Sequence, residues 1–156
     1  MAESNLVGSP LTKGATVLML VVLDTSAVSA VMHRNADALD RLKLIRPAEV
    51  VLSTPVAAEI QYGLERLQER SRRRKLLTEE YNRLRKVVRW EDWTESAAHE
   101  FGTLKARLAK AGTPLEDFDI AIASVALALE ARLATLNAKH FSRIAGLAVD
   151  DWLSLP

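Results

Sequence analysis

The chain has no cysteine. A disulfide framework, a thiol nucleophile and a cysteine-bound zinc are therefore excluded, and cysteine usage says nothing about redox compartment. Net charge is nearly absent too: 21 lysines and arginines stand against 20 aspartates and glutamates, giving +1. A protein that coats nucleic acid by bulk electrostatics needs a large positive excess, so that class does not fit; an enzyme with a local basic face does. Long hydrophobic runs are missing. The longest, Val17 to Leu23, stops at Asp24 and falls far short of the ~20 residues of a spanning helix. As a secretory signal the run is poor, with only Lys13 nearby and a charge where a small-residue cleavage site belongs. The expected setting is the cytoplasm, with no membrane contact. No glycine-rich phosphate loop of Walker or dinucleotide type is present.

What is there suits one soluble domain: 156 residues, 49% hydrophobic and 26% charged. Residues 1–16, rich in Ser, Gly, Pro and Thr, read as a flexible arm or a start-site artefact, and 17–156 as the domain. Leu18–Leu23 is a continuous apolar run, as in a strand buried on both faces. A helix is expected over about Ser26–Leu44, and a second strand at Val50–Leu52. Thr54-Pro55 signals another helix start, running past Gly63 towards Arg85 with a break near Ser71. Val87-Val88 is the weakest strand. The spacing of Ala97, Ala98, Phe101, Leu104 and Leu108 after Thr94 predicts an amphipathic helix. Asp119–Ala131 is apolar nearly all round, as a central buried helix should be. Leu133–Leu136 and Leu147–Val149 complete the strands. Such alternation predicts an α/β fold with a mainly parallel sheet of about five strands flanked by helices.

Four polar residues stand out by position. Asp24 follows the first strand, Glu59 lies about a turn into the helix after the second, Asp119 opens the central helix, and Asn137 follows the fourth strand. Open parallel sheets bind ligands beyond the carboxyl ends of their strands, where all four are expected. Clustered carboxylates raise one another's pKa unless a cation neutralises them. Oxygen-only ligands select Mg²⁺ or Mn²⁺ over zinc, and such an ion can activate water against a phosphodiester. Each residue also has a plainer role. Asp24, Thr25 or Ser26 can cap a helix, Glu59 can be a solvated helix residue, and Asn137 can serve a turn. Asp117 rivals Asp119, as N-cap or as a second ligand.

At these residues the sequence resembles the PIN-domain family, and within it the VapC toxins, over about Met19–Leu153. Val-Val-Leu-Asp24-Thr-Ser26 is similar to the family's opening strand and first aspartate. Ser53-Thr-Pro-Val-Ala-Ala-Glu59-Ile-Gln-Tyr-Gly63 is similar to its glutamate segment. In Gly112-Thr-Pro-Leu-Glu-Asp-Phe-Asp119-Ile-Ala-Ile-Ala-Ser124 the aspartate stands seven residues after the glycine, as in the family. Thr135-Leu-Asn137-Ala-Lys-His-Phe141 resembles the segment that supplies aspartate or asparagine, and Gly146–Trp152 resembles the family's ending. The resemblance implies a single PIN-like domain and an Mg²⁺-dependent endoribonuclease (Mn²⁺ a possible substitute), cutting cellular transfer or ribosomal RNA. It implies catalytic roles for Asp24, Glu59, Asp119 and Asn137. The first three would hold the metal and Asn137 would bind it or its waters, with Ser26 and Asp117 in support. It implies a homodimer and inhibition by a VapB-type antitoxin. Asparagine at 137 removes one negative charge and keeps open a second reading, a catalytically weak or inactive domain that binds RNA or the antitoxin.

Other features carry less. Arg70, Arg72, Arg73, Arg74 and Lys75 could meet an RNA backbone or form a solvated face balanced by Glu65, Glu69, Glu79 and Glu80. Arg34, Arg41, Lys43 and Arg46, and Lys105, Arg107 and Lys110, are equally ambiguous. His33, His99 and His140 lack metal-ligand spacing and read as surface or packing residues. Trp90, Trp93 and Trp152 read as core or interface anchors. A phosphatase of haloacid-dehalogenase type would need a second aspartate two residues after Asp24, where Ser26 stands.

Overall fold

A computed structural model describes residues 17–153, and the arm expected over 1–16 lies outside them. Five strands form one parallel sheet: β1 (Val21–Leu23), β2 (Val50–Ser53), β3 (Arg89–Glu91), β4 (Arg132–Thr135) and β5 (Val149–Asp151), in the order β3-β2-β1-β4-β5. The helices of the described residues are α1 (Thr25–Met32), α2 (Ala36–Lys43), α3 (Thr54–Glu65), α4 (Arg72–Val87), α5 (Glu95–Lys110), α6 (Asp117–Ala128) and α7 (Ala138–Phe141). A 3₁₀ turn, Pro47–Glu49, leads into β2.

The three central strands are apolar because both their faces are covered, as parallel sheets require. Val22, Leu23, Val51, Leu52 and Leu133 are fully buried. Helix α6 contacts β1 and β4 and buries Ile120, Ile122, Ala123, Ser124, Val125 and Ala126. The buried Ser124 hydroxyl donates to the Ile120 carbonyl at 2.6 Å, which satisfies it inside an apolar helix.

Several boundaries differ from expectation, each for a local reason. The single helix expected over 26–44 is two. Arg34 adopts a left-handed φ of 56°, and Asn35 then caps α2 by accepting from the Ala38 amide at 3.0 Å. The break expected near Ser71 is present, with Ser71 capping α4. The third strand is Arg89–Glu91 rather than Val87-Val88, because α4 takes Val87 into its last turn. The fifth is Val149–Asp151 rather than Leu147–Val149, because the chain turns at Gly146 (φ 82°). The first strand is Val21–Leu23, shorter than its apolar run, and the fourth begins at Arg132. Helix α6 begins two residues before Asp119 and ends at Ala128, with Glu130 at φ 52°; the short helix α7 gave no sequence signal.

The order reverses between β1 and β4: the chain leaves β1 for β2 on one side and returns to β4 on the other. The crevice beyond the carboxyl ends of these two strands is the topological switch point, where open α/β sheets bind ligands.

Candidate active site

Asp24 leaves β1 at this switch point and caps α1. It is 4% exposed, and its backbone N–H donates to the Ala134 carbonyl of β4 at 3.0 Å. Its Oδ1 accepts from the Ala27 amide at 2.8 Å and the Ser26 hydroxyl at 2.6 Å, and its Oδ2 from the Thr135 hydroxyl at 2.5 Å. Burial pushes its carboxyl above the ordinary aspartate value; the bonds from Ser26, Thr135 and Ala27 pull it back, and the neighbouring charge of Asp119 pushes it up again. Capping and site-building are thus one arrangement, since the same carboxylate caps α1 and faces a second acid.

Asp119 is the third residue of α6, where a negative charge suits the helix dipole. Its side chain is 30% exposed, and Oδ2 lies 2.8 Å from His140 Nε2. Glu59 is half-buried on α3 and accepts a short hydrogen bond from the Thr25 hydroxyl, next to Asp24 in the chain. Glu59 and Thr25 also line one end of a groove of about 220 Å³ between α1, α3 and α4. Asn137 sits at the start of α7 with its side chain exposed and making no capping bond, while its backbone N–H donates to Thr135 Oγ1 at 2.9 Å. Ser26 touches Asp24 directly and also receives the Leu136 amide at 2.9 Å. Asp117 lies elsewhere: its carboxylate is 63% exposed and paired with Lys105 at 2.8 Å.

The structure therefore brings Asp24 and Asp119 within electrostatic reach of each other and ties Glu59 to the same corner through Thr25. It does not gather the expected cluster into a ready cage: among the described residues, no three acidic or histidine side chains form a group that could hold a metal. The ion pairs of the described residues give no lysine or arginine to Asp24, Glu59 or Asp119. A buried acid beside a second acid, supported only by hydroxyls and an amide, has hard-oxygen chemistry and lacks positive charge. That donor set fits a divalent cation such as Mg²⁺.

Three contacts were not anticipated. Thr25 and Thr135 each donate to a site carboxylate, and His140, besides the packing role expected of it, meets Asp119. The available signal was the hydroxyl at the end of each segment: Thr25 beside Asp24 and Thr135 ending β4. His140 had no spacing signal. Its partner is 21 residues away, and only the fold joins them. His33 instead bonds its own helix, and His99 is exposed.

Comparison with known proteins bears on the fold and the family. Residues 21–147 match the model of the PIN domain. "Ribonuclease VapC2" of Rickettsia felis is 28% identical over 136 residues, spanning 86% of this chain and 98% of that protein. "tRNA(fMet)-specific endonuclease VapC" of Shigella flexneri is 26% identical over 136 residues, spanning 86% and 99%. The crystal structure of VapBC2 from Rickettsia felis, bound to a DNA fragment from its promoter, contains a chain with TM-score 0.76 and 25% identity, covering 86% of this chain and 99% of that one. An open parallel sheet with an acidic pair at its switch point is here a PIN fold, and the chain belongs to the PIN domain family. Within that family it is of the VapC type.

Proposed function

We propose that the chain is an Mg²⁺-dependent endoribonuclease, the toxin half of a VapBC-type toxin–antitoxin pair, hydrolysing phosphodiester bonds in transfer or ribosomal RNA. The observation that carries this reading is Asp24: a buried carboxylate at the switch point, within electrostatic reach of Asp119 and with no lysine or arginine paired to it among the described residues. Asp24, Glu59 and Asp119 would hold the cation, and Asn137, exposed at the start of α7, would contribute an amide to it or to its waters. A bound divalent cation supplies positive charge to the phosphoryl oxygens and acidifies water. The chain's own part is orientation. Ser26, the Ala27 amide and Thr135 fix both oxygens of Asp24, so the carboxylate presents one geometry and need not reorganise when substrate arrives. Thr25 does the same for one oxygen of Glu59.

Relatives that are VapC ribonucleases, and a similar chain solved in a VapBC complex, support a VapB-type antitoxin as partner; a homodimer working in the cytoplasm belongs to the same reading. No helix of the described residues is long and apolar enough to cross a membrane.

The test is cleavage of total cellular RNA by metal-stripped, antitoxin-free protein with Mg²⁺, Mn²⁺ or EDTA, alongside Asp119→Ala. Discrete fragments that require metal and vanish in the variant are expected. Two observations favour the second reading, a domain that binds RNA or antitoxin without cutting: asparagine at 137, and the absence of a ready three-group cage among the described residues. Binding of RNA with no metal-dependent turnover, and no difference between the variant and its parent, would establish that reading instead.

A further inference from the structure

One stretch of chain, Thr135–His140, reaches both aspartates. At its start Thr135 donates to Asp24, and at its end His140 meets Asp119. The stretch is held along its length. Leu136 and Asn137 each give a backbone N–H to a hydroxyl of the site, Ser26 and Thr135, at 2.9 Å. The His140 amide donates to the Asn137 carbonyl at 3.1 Å, closing α7. The next residue, Phe141, is 1% exposed and anchors α7 in the core. The two rings meet edge to face at 5.5 Å and 89°, which fixes the plane of the imidazole.

An ionised carboxylate only accepts hydrogen bonds, so the contact at 2.8 Å requires the hydrogen on His140 Nε2. An imidazole nitrogen that carries a hydrogen is not available as a metal ligand. We propose that His140 is the positioning residue of Asp119: it holds Oδ2, so that Oδ1 is the oxygen Asp119 offers to a cation. The proposal rests on the reading of Asp119 as a cation ligand. Its physical consequence is selectivity. A carboxylate that offers one oxygen suits a small octahedral ion that keeps several waters, whereas one free to chelate with both oxygens suits the larger, more flexible Ca²⁺.

The experiment measures cation binding rather than cleavage. Mn²⁺ affinity is followed by electron paramagnetic resonance on the full chain, and Ca²⁺ affinity by competition. His140→Ala should weaken Mn²⁺ binding by about 10–100-fold, the usual effect of losing an outer-shell partner, and Ca²⁺ binding by less. His140→Gln places an amide N–H within reach of the same oxygen and should restore most of the Mn²⁺ affinity. His140→Asn, too short to reach, should not; it also serves if alanine at 140 impairs folding. Unchanged Mn²⁺ affinity in the alanine and asparagine variants overturns the proposal. So does a directly coordinated nitrogen in the spectrum of the unaltered protein, which would make His140 a ligand. Asp119→Ala separates the two layers. If it binds Mn²⁺ like its parent, the assignment of Asp119 falls; if it loses Mn²⁺ while the histidine variants do not, only the role of His140 falls.

Discussion

Glu49 and Asp24 are both nearly buried acids at the ends of neighbouring parallel strands, Glu49 just before β2 and Asp24 just after β1. They therefore sit at opposite ends of the sheet, and their surroundings differ. At the amino end, Arg46 grips Glu49 with two hydrogen bonds of 3.0 and 2.6 Å, and the Met19 amide adds a third. The Arg46 bonds come first in lowering the Glu49 carboxyl to about 2. At the carboxyl end, burial leads in raising Asp24, with hydroxyls as its side-chain support and Asp119 as a like-charged neighbour. One acid is neutralised on the spot. The other has no basic partner among the described residues, which disfavours the ionised free protein and favours a cation when it comes. Uncompensated charge, more than burial, separates the site from the scaffold.

The sharpest way to break this contrast is Asp24→Asn. It should reduce RNA cleavage by on the order of 10²–10⁴-fold, because the proposed cation ligand is lost while the cap to Ala27 is retained. The same variant should melt at a higher temperature than its parent near neutral pH. A raised folded-state value means that the stability Asp24 lends is present below its ordinary value of 3.8 and is lost as pH rises through the raised one. The gain should therefore shrink as pH falls towards 3.8, and melting curves across that range check it. An unchanged or lower melting temperature at neutral pH would mean that Asp24 is already compensated.

A smaller effect is expected from Thr135→Val, which removes the donor to Asp24 Oδ2 and the acceptor for the Asn137 amide. Loss of a hydrogen bond to a buried charge should destabilise the fold by about 1.5–3 kcal/mol in urea unfolding, with Thr135→Ser close to its parent. The smallest effect belongs to Glu49→Gln. It should lower the melting temperature at neutral pH and leave cleavage unchanged. Here the sign is opposite to that at Asp24: the stability is present above the ordinary value of 4.5 and is lost as pH falls through about 2. The two melting curves should accordingly converge in acid.

The sequence makes the buried part of this fold legible and the edges less so. Central strands announce themselves because both faces are apolar. The outer strands, β3 with Trp90 40% exposed and β5 only half-buried, lack that signal and lie two residues from where apolar runs placed them. The break between α1 and α2 carries neither glycine nor proline; Asn35 was the only mark. Within the candidate site, the sequence places Asp24, Glu59 and Asp119 after strands and on helices, and the structure ties all three to one corner. The choice between Asp117 and Asp119 is not legible until the helix phase is known. Residues two apart differ by about 200° around a helix, so one meets His140 within electrostatic reach of Asp24 and the other pairs with Lys105 on α5. The hydroxyl and imidazole partners stay hidden because the contacts that define them span 111 residues for Thr135 and Asp24, and 21 for His140 and Asp119.

That long span bears on how the protein is made. β1 leaves the ribosome before β2, β3 and helices α1 to α6, yet its partner on one side, β4, follows all of them. Until β4 docks, one edge of β1 is open, Asp24 lacks the Thr135 donor, and the segment that carries His140 has not arrived. Non-local pairing of this kind forms late and slowly. Everything from β1 to α6 therefore exists before the site is finished, and a product terminated before β4 is a fragment without one.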